Sequence, residues 1–422
     1  MNLPKFSRQS AVQPGRVFFL RMRNFLLSLG VFALLSAPRV VASPDSALTI
    51  QPLTSPAGPN SSEPQLTVQG NRVILSWIET AGDRATLKFA ERSASGWTAP
   101  KTAASGTNFF VNSADVPSVH ALANGSLVSL WLQRSGDDPD SDAYNVRLSL
   151  SADQGRTWSA PSSPHHDGTK TQHGFVSLFP TPNAGFGLVW LDGRATNPET
   201  ETGDMALRAA VYGGNGKQTG EMVVSSRVCD CCATSAAETS EGVIVAYRNR
   251  SAAEVRDIYV TRYADGRWSA PTAVHNDGWR IEACPINGPA ISARGRDVAV
   301  AWYTAKDNKG RAFVAFSHDA GRTFGEPIRI DDVASQGRVG VQLLDNGSAA
   351  VTWVEFANQQ SRFQLRTVTS AGVRSSAVTV SGAEDSGFPR LVRNGDELLF
   401  SWTESGNGSP RVRTARASVS QK

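Results

Sequence analysis

All four thiols of this 422-residue chain lie in two short stretches. Residues 229 to 232 read CDCC, and the remaining cysteine is Cys284 in EACPINGPA. In an oxidising compartment such thiols pair or are protected by a metal. Three chemistries are open: a disulfide from Cys229, Cys231 or Cys232 to Cys284, a soft thiolate site for copper or zinc with His173, His275 or Glu282 as further donors, and redox or nucleophilic thiol chemistry. No known zinc spacing is matched, and a bond between adjacent Cys231 and Cys232 would be strained. A second set of residues is charged. WLDGRATN and YRNRSAAEVRD supply Asp192, Arg194, Arg248, Arg250 and Glu254, while Arg280 and Glu282 precede Cys284, and Arg338 and Arg390 lie further on. Guanidiniums grouped around one opening bind carboxylate or sulfate bidentately. Asp192 and Glu282 are the candidate general acid and base for glycoside chemistry, although no spacing rule joins them. The same arginines and acids also suit structural ion pairs.

What positions these residues is a repeat. An apolar, β-branched strand ending in an aromatic recurs as VILSW, LVSLW, FGLVW, VIVAY, VAVAW, SAAVTW and LLFSW, reaching Trp77, Trp131, Trp190, Tyr247, Trp302, Trp353 and Trp402 at intervals of 54, 59, 57, 55, 51 and 49 residues. A Gly- or Asn-rich turn precedes each copy and a third strand follows, usually with a fourth segment such as WSAP. Helical periodicity is absent. Four antiparallel strands per unit predict an all-β propeller of seven blades, six being the alternative if one unit is degenerate. The last unit stops after its third strand, and ALTIQPLT, residues 47 to 54, is the expected closing strand.

The first 42 residues read as a secretory signal: Arg21 and Arg23, the apolar run FLLSLGVFALLSA, then small residues suited to cleavage after Ala42. That run is too short to cross a bilayer, and no later stretch is long enough. Residues 43–422 are then one domain, secreted or periplasmic. The segment 1–42 holds six of the 42 basic residues and no acid, leaving 36 basic against 38 acidic. The basic excess belongs to the leader, and nucleic acid is not an expected partner.

Two turns carry a sharper pattern: SADQGRTW, with Asp153, Gly155 and Trp158, and SHDAGRTF, with Asp319, Gly321 and Phe324. Both fit S-x-D-x-G-x-T-W/F, the Asp-box, in which the carboxylate holds its own turn, glycine takes a positive φ and the aromatic packs beneath the blade. On these motifs the chain resembles the sialidase (neuraminidase) superfamily of Asp-box, or BNR-repeat, propellers over nearly the whole mature length. The resemblance implies the fold. The family's F/Y-R-I-P motif and late Tyr motif have no counterpart here, so the resemblance does not by itself imply sialidase activity; an enzyme of this type would be an exo-sialidase-like glycoside hydrolase, and the Asp-box lies on the face away from the active site.

Propeller geometry puts the loops leading into each first strand and those leaving each aromatic strand on one face. The two cysteine stretches then lead into neighbouring blades and meet beside the central channel, and Asp192, Glu282 and the six arginines share that face. His165 and His166 in SPHHDGTKTQHG read as solvent-exposed, and Trp279 either stacks on a sugar ring or caps a blade. The functional expectation is a carbohydrate-directed protein that binds or hydrolyses an acidic glycan, or another anionic ligand, at the channel mouth. A periplasmic soft-metal or thiol-redox protein and a non-catalytic interaction scaffold are the alternatives.

Overall fold

The computed structural model describes residues 48–136, 142–197, 200, 202–382, 387–405 and 408–419. The expected leader lies outside them. Seven antiparallel sheets follow one another along the chain, so the six-blade alternative falls away. Blade 1 begins with Ser61–Gln69, Arg72–Ala81 and Arg84–Ser93, and blade 2 with Ser118–Ala121, Leu127–Arg134 and Tyr144–Ser151. The fourth segment of blade 2 is reduced to one bridge between Leu148 and Ser162. Blades 3 to 6 start at His173, Ser235, Ala290 and Ala334. Blade 7 comprises Arg390–Asn394, Glu397–Glu404 and Arg411–Ser418, and its outer strand is Gln51–Leu53, paired antiparallel with Gln51 opposite Arg416. The ring closes with the strand expected from ALTIQPLT. The helical content of the described residues is one short 3₁₀ turn, Lys306–Asn308, and no helix among them is long and apolar enough to cross a membrane.

The second strand of each blade explains the packing. Gly185–Asp192 is buried at all eight positions, and Leu127–Arg134 at its first six. A strand buried on both faces reads as a continuous apolar run rather than an alternation, which is why these segments looked alike in the sequence. The core divides into seven clusters, each shared by two adjacent blades. The repeated aromatic always faces the preceding blade: Trp131 packs with blade 1, Trp190 with blade 2, and Trp77 closes onto blade 7. Each aromatic is thus a wedge between two sheets, and large rings supply much of the buried area per residue.

The turns between third and fourth strands in blades 2 and 5 are built alike. Asp153 Oδ1 accepts from the backbone N–H groups of Arg156 and Thr157 at 3.0 and 2.9 Å, and its Oδ2 accepts from the Thr157 hydroxyl at 2.7 Å. Asp319 accepts from Arg322 and Thr323 in the same way. Gly155 and Gly321 hold φ of 76° and 78°. A Cβ on Gly155 would come within 2.5 Å of the Phe89 ring, so blade packing and turn geometry both require glycine there. Gln154 reaches back to Gly125 O at 2.8 Å, placing this turn beside that between the first two strands of blade 2. At the other end, Phe109 bridges Gln133, Val228 bridges Asn249, and Gly193 N–H donates to Gln172 O. Lead-in loops and exits from the second strands therefore share the opposite face.

Removing residues 48–54 strips the outer strand from blade 7. The loss of three ladder positions, at about 1 kcal/mol per hydrogen bond, predicts destabilisation by about 2–4 kcal/mol, with self-association through the bared edge. Denaturant titration and size-exclusion chromatography of the shortened chain check both.

Candidate functional site

The first strands of all seven blades line a central cavity of about 320 Å³. Three of them, in blades 1, 3 and 6, are bulged near the lead-in face. At each bulge a non-glycine residue adopts a left-handed φ: Glu63 at 56°, Phe175 at 55° and Arg338 at 53°. Bulges re-aim side chains, and such backbone strain persists only where the surroundings over-determine it.

The result is a charged group at one end of the cavity. Asp115 and Glu63 are 3% and 6% exposed. Burial, with the neighbouring Asp115 charge, pushes Glu63 up to about 8 against the pull of Arg390. Burial likewise raises Asp115 to about 7, opposed by the Phe175 N–H and the Tyr144 hydroxyl, which donates to Asp115 Oδ2 at 3.2 Å. Gly174 makes room, since a Cβ there would lie 1.9 Å from Asp115 Oδ2. Arg390, half-buried and ringed by protein, is lowered by lost hydration to about 10 and keeps its charge at neutral pH. Its Nε donates to Pro64 O at 3.3 Å. Arg338 also lines the cavity, donating from a terminal nitrogen to Gly387 O at 2.5 Å and lying 4.7 Å over the Phe388 ring. Of the six expected arginines, Arg338 and Arg390 are those that line the central cavity. Buried carboxyls titrating near neutrality beside a cation are suited to proton transfer.

The cysteine stretches do meet. Cys231 is bonded to Cys284, with Cα atoms 6.1 Å apart, tying the lead-in loops of blades 4 and 5. Cys229 and Cys232 are buried free thiols with sulfurs 3.0 Å apart. The Cys232 thiol, with the Arg248 and Arg256 guanidiniums, holds Cys229 below the ordinary thiol range, while burial and the Cys229 sulfur push Cys232 up. Zinc–sulfur bonds of about 2.3 Å at tetrahedral angles separate sulfurs by about 3.8 Å, so the copper or zinc considered for this corner would have to part the pair.

Arg248 is a strut. Only 1% exposed, it donates to the carbonyls of Asn287, Arg256 and Tyr303 at 2.9, 2.6 and 2.7 Å and lies 5.1 Å over Trp279. The ligand role read for it gives way to joining blades 4 and 5. Trp279 is itself buried edge-on against Tyr303, capping the blade rather than offering a sugar platform. Arg250 pairs with Glu254 and Asp230 and lines a second, off-axis cavity of about 350 Å³.

Asp192 is fully buried. Its Oδ2 accepts the Trp190 indole N–H at 2.8 Å, and Arg194 grips both oxygens at 2.7 and 2.8 Å. Burial would raise its pKa, but the hydrogen bonds from Arg194 and Trp190 win and hold it below the usual carboxylate range. The same aromatic-to-acid bond recurs from Trp77 to Glu79 and from Trp353 to Glu355, so it is a repeat device satisfying a buried indole. The acid–base pairing of Asp192 with Glu282 is not assembled: Glu282 sits in an exposed loop, paired with Arg280 at 2.7 Å. Asp192 instead belongs to a network with Asp167, His173, Arg194 and Glu221. His165, read as exposed, is buried there against His173, and burial pushes it down to about 4. His166 is exposed as expected.

Glu63, Asp115, Tyr144 and Asp167 were missed from the sequence. One signal could have found the first two. Glu63 and Asp115 lie one and two residues ahead of Pro64 and Pro117, and Arg390 follows Pro389, so a proline marks the bulge inside the first strand of blade 1 and immediately precedes the first strand of blades 2 and 7.

No protein-family model matches the chain, and no curated protein matches it. Solved structures do. One is described as polysaccharide lyase Uly1, at 10% identity and a TM-score of 0.51, covering 85% of this chain and 90% of that one. An alpha-L-arabinanase of Penicillium chrysogenum complexed with arabinobiose matches at 11% identity and TM-score 0.49 over 88% and 99%. Hadza microbial sialidase Hz136 matches at 14% and 0.40 over 70% and 63%. At such identities the likeness is one of fold, and the propeller implied by the sialidase-superfamily resemblance is the fold observed.

Two outcomes follow. The disulfide closes a 53-residue separation, for which loop-closure entropy gives about 4 kcal/mol. The Cys231→Ser, Cys284→Ser variant should lose stability of that order, and thiol titration of the native chain should detect the buried Cys229 and Cys232 only after denaturation. Unfolded Glu and Asp release protons near 4.5 and 3.8, but Glu63 and Asp115 hold theirs to about 8 and 7 when folded. Their contribution is therefore full in acid and falls as pH rises through that window. The unfolding midpoint should decline from pH 5 to 8, less steeply in Glu63→Gln, as calorimetry would measure.

Proposed function

We propose that the protein is a carbohydrate-directed propeller, binding or hydrolysing an acidic glycan at the mouth of its central channel. The observation that carries this reading is the Glu63, Asp115 and Arg390 group beside the cavity, with Arg338 near it. Asp115, which lines the cavity and whose carboxyl is raised by burial to about 7, is the proton-transfer group, Glu63 is held protonated by burial and the Asp115 charge, and the two guanidiniums on neighbouring blades take the ligand's carboxylate or sulfate. Likeness of fold to a protein described as a polysaccharide lyase is in keeping with a saccharide ligand. The motifs of a sialidase are missing, so a neutral-leaving uronide or sulfated saccharide is as suitable as a sialoside. Export to the periplasm or beyond is part of the proposal: the leader-like residues 1–42 support it, as does a disulfide, which persists in oxidising compartments.

A panel of fluorogenic sialosides and uronides, with a sulfated and carboxylated glycan array, tests this. Hydrolysis predicts turnover that falls about 10²–10⁴-fold in Asp115→Asn. Binding without turnover predicts array signals abolished by Arg390→Met. Neither activity, in protein shown to be folded, would sink the glycan reading and leave the scaffold.

A further inference from the structure

The start of blade 3 and the loop leading into it carry two buried imidazoles with three ring nitrogens left without a hydrogen bond. His165 and His173 stack with ring centroids 3.9 Å apart and planes within 6°. Both are buried, His173 completely. Among the described residues, neither ring nitrogen of His173, nor Nε2 of His165, nor Oδ2 of Asp167 makes a hydrogen bond. Buried polar atoms left unpaired call for a partner such as a water or an ion.

The donor spacing suits a small divalent ion once the stacked rings splay, since a ring nitrogen binds a metal in the plane of its ring and parallel rings do not aim at one point. His165 Nδ1 and His173 Nε2 lie 3.4 and 3.3 Å from Asp167 Oδ2, and the three donor residues present ligand atoms within 4.8 Å of one another. Ligands held about 2.0–2.1 Å from zinc at tetrahedral angles are about 3.3–3.4 Å apart, which matches both separations. Asp192 Oδ2 stands 3.8 Å from His173 Nε2. Charge agrees. Arg194 lies 3.4 Å from Asp167 but is held by Asp192 and Glu221, and Arg208 also binds Glu221. Three carboxylates thus face two guanidiniums, leaving one negative charge over.

We propose that His165, Asp167 and His173 bind a divalent cation of the zinc class, with Asp192 at its edge. The near-complete burial makes this a closed, structural site, and its role is to fasten the polar 164–172 loop against blade 3. It is separate from the thiol pair and from the channel carboxyls, so it does not depend on the glycan reading.

The test uses the full mature chain without an affinity tag. After chelation and dialysis, Zn²⁺ alone is titrated by calorimetry, the bound metal is counted, and the unfolding temperature is read with and without it. The expected result is one ion per chain and an upward shift in unfolding temperature. Both are lost in His173→Asn and in Asp167→Asn and retained in Cys229→Ser, Cys232→Ser. Because a buried histidine variant can misfold, cobalt-loaded wild-type protein supplies a second readout. A nitrogen–oxygen site gives visible d–d bands without sulfur-to-metal charge transfer. Absence of binding, metal that follows the cysteines rather than the histidines, or a sulfur charge-transfer band would each overturn the proposal.

Discussion

A sheet whose second strand is apolar on both faces has to be covered on both sides, and everything else in this molecule follows from how that is done. No blade can bury such a strand alone. Each aromatic wedge is driven into the blade before it, and the first needs the last, so the sequence of sheets has to close into a ring. Gln51–Leu53 on the outer edge of blade 7 fastens that closure by main-chain pairing.

Closure decides where charge goes. The wedges bring indole N–H groups into dry interfaces, and Glu79, Asp192 and Glu355 satisfy three of them from two residues further along the strand. Arg248 does similar service for the carbonyls between blades 4 and 5. Much of the charge that looks catalytic in the sequence is thus spent on desolvated joints, because an unpaired polar group there costs more than the joint gains. The channel differs. Seven first strands converge on it, and bulges at Glu63, Phe175 and Arg338 break the ladder; Phe175 and Arg338 line the shared space, and Glu63 is buried close to Asp115 and Arg390. There the carboxyls of Glu63 and Asp115 lack enough donors to stay ionised, and burial rather than pairing sets their protonation.

Repetition by itself determined the architecture. The aromatic-ended strand, the turns and the orphan strand near residue 50 are local patterns, and a propeller is built by local hairpins, so blade count, ring closure and the sharing of one face by two loop classes were legible from residue order. The meeting of CDCC with Cys284 was legible for the same reason, since neighbouring repeats are neighbours in space. Which cysteine bonds was not, because Cys229, Cys231 and Cys232 are too close in sequence for spacing to separate them. The tertiary structure alone decided which charges are struts and which face the cavity. Asp192 and Asp115 are both acids at the same end of a blade, yet one is saturated by an indole and a guanidinium and the other is buried beside Arg390. That difference depends on distances between residues from different blades, and on dehydration by the assembled ring, which no stretch of sequence contains.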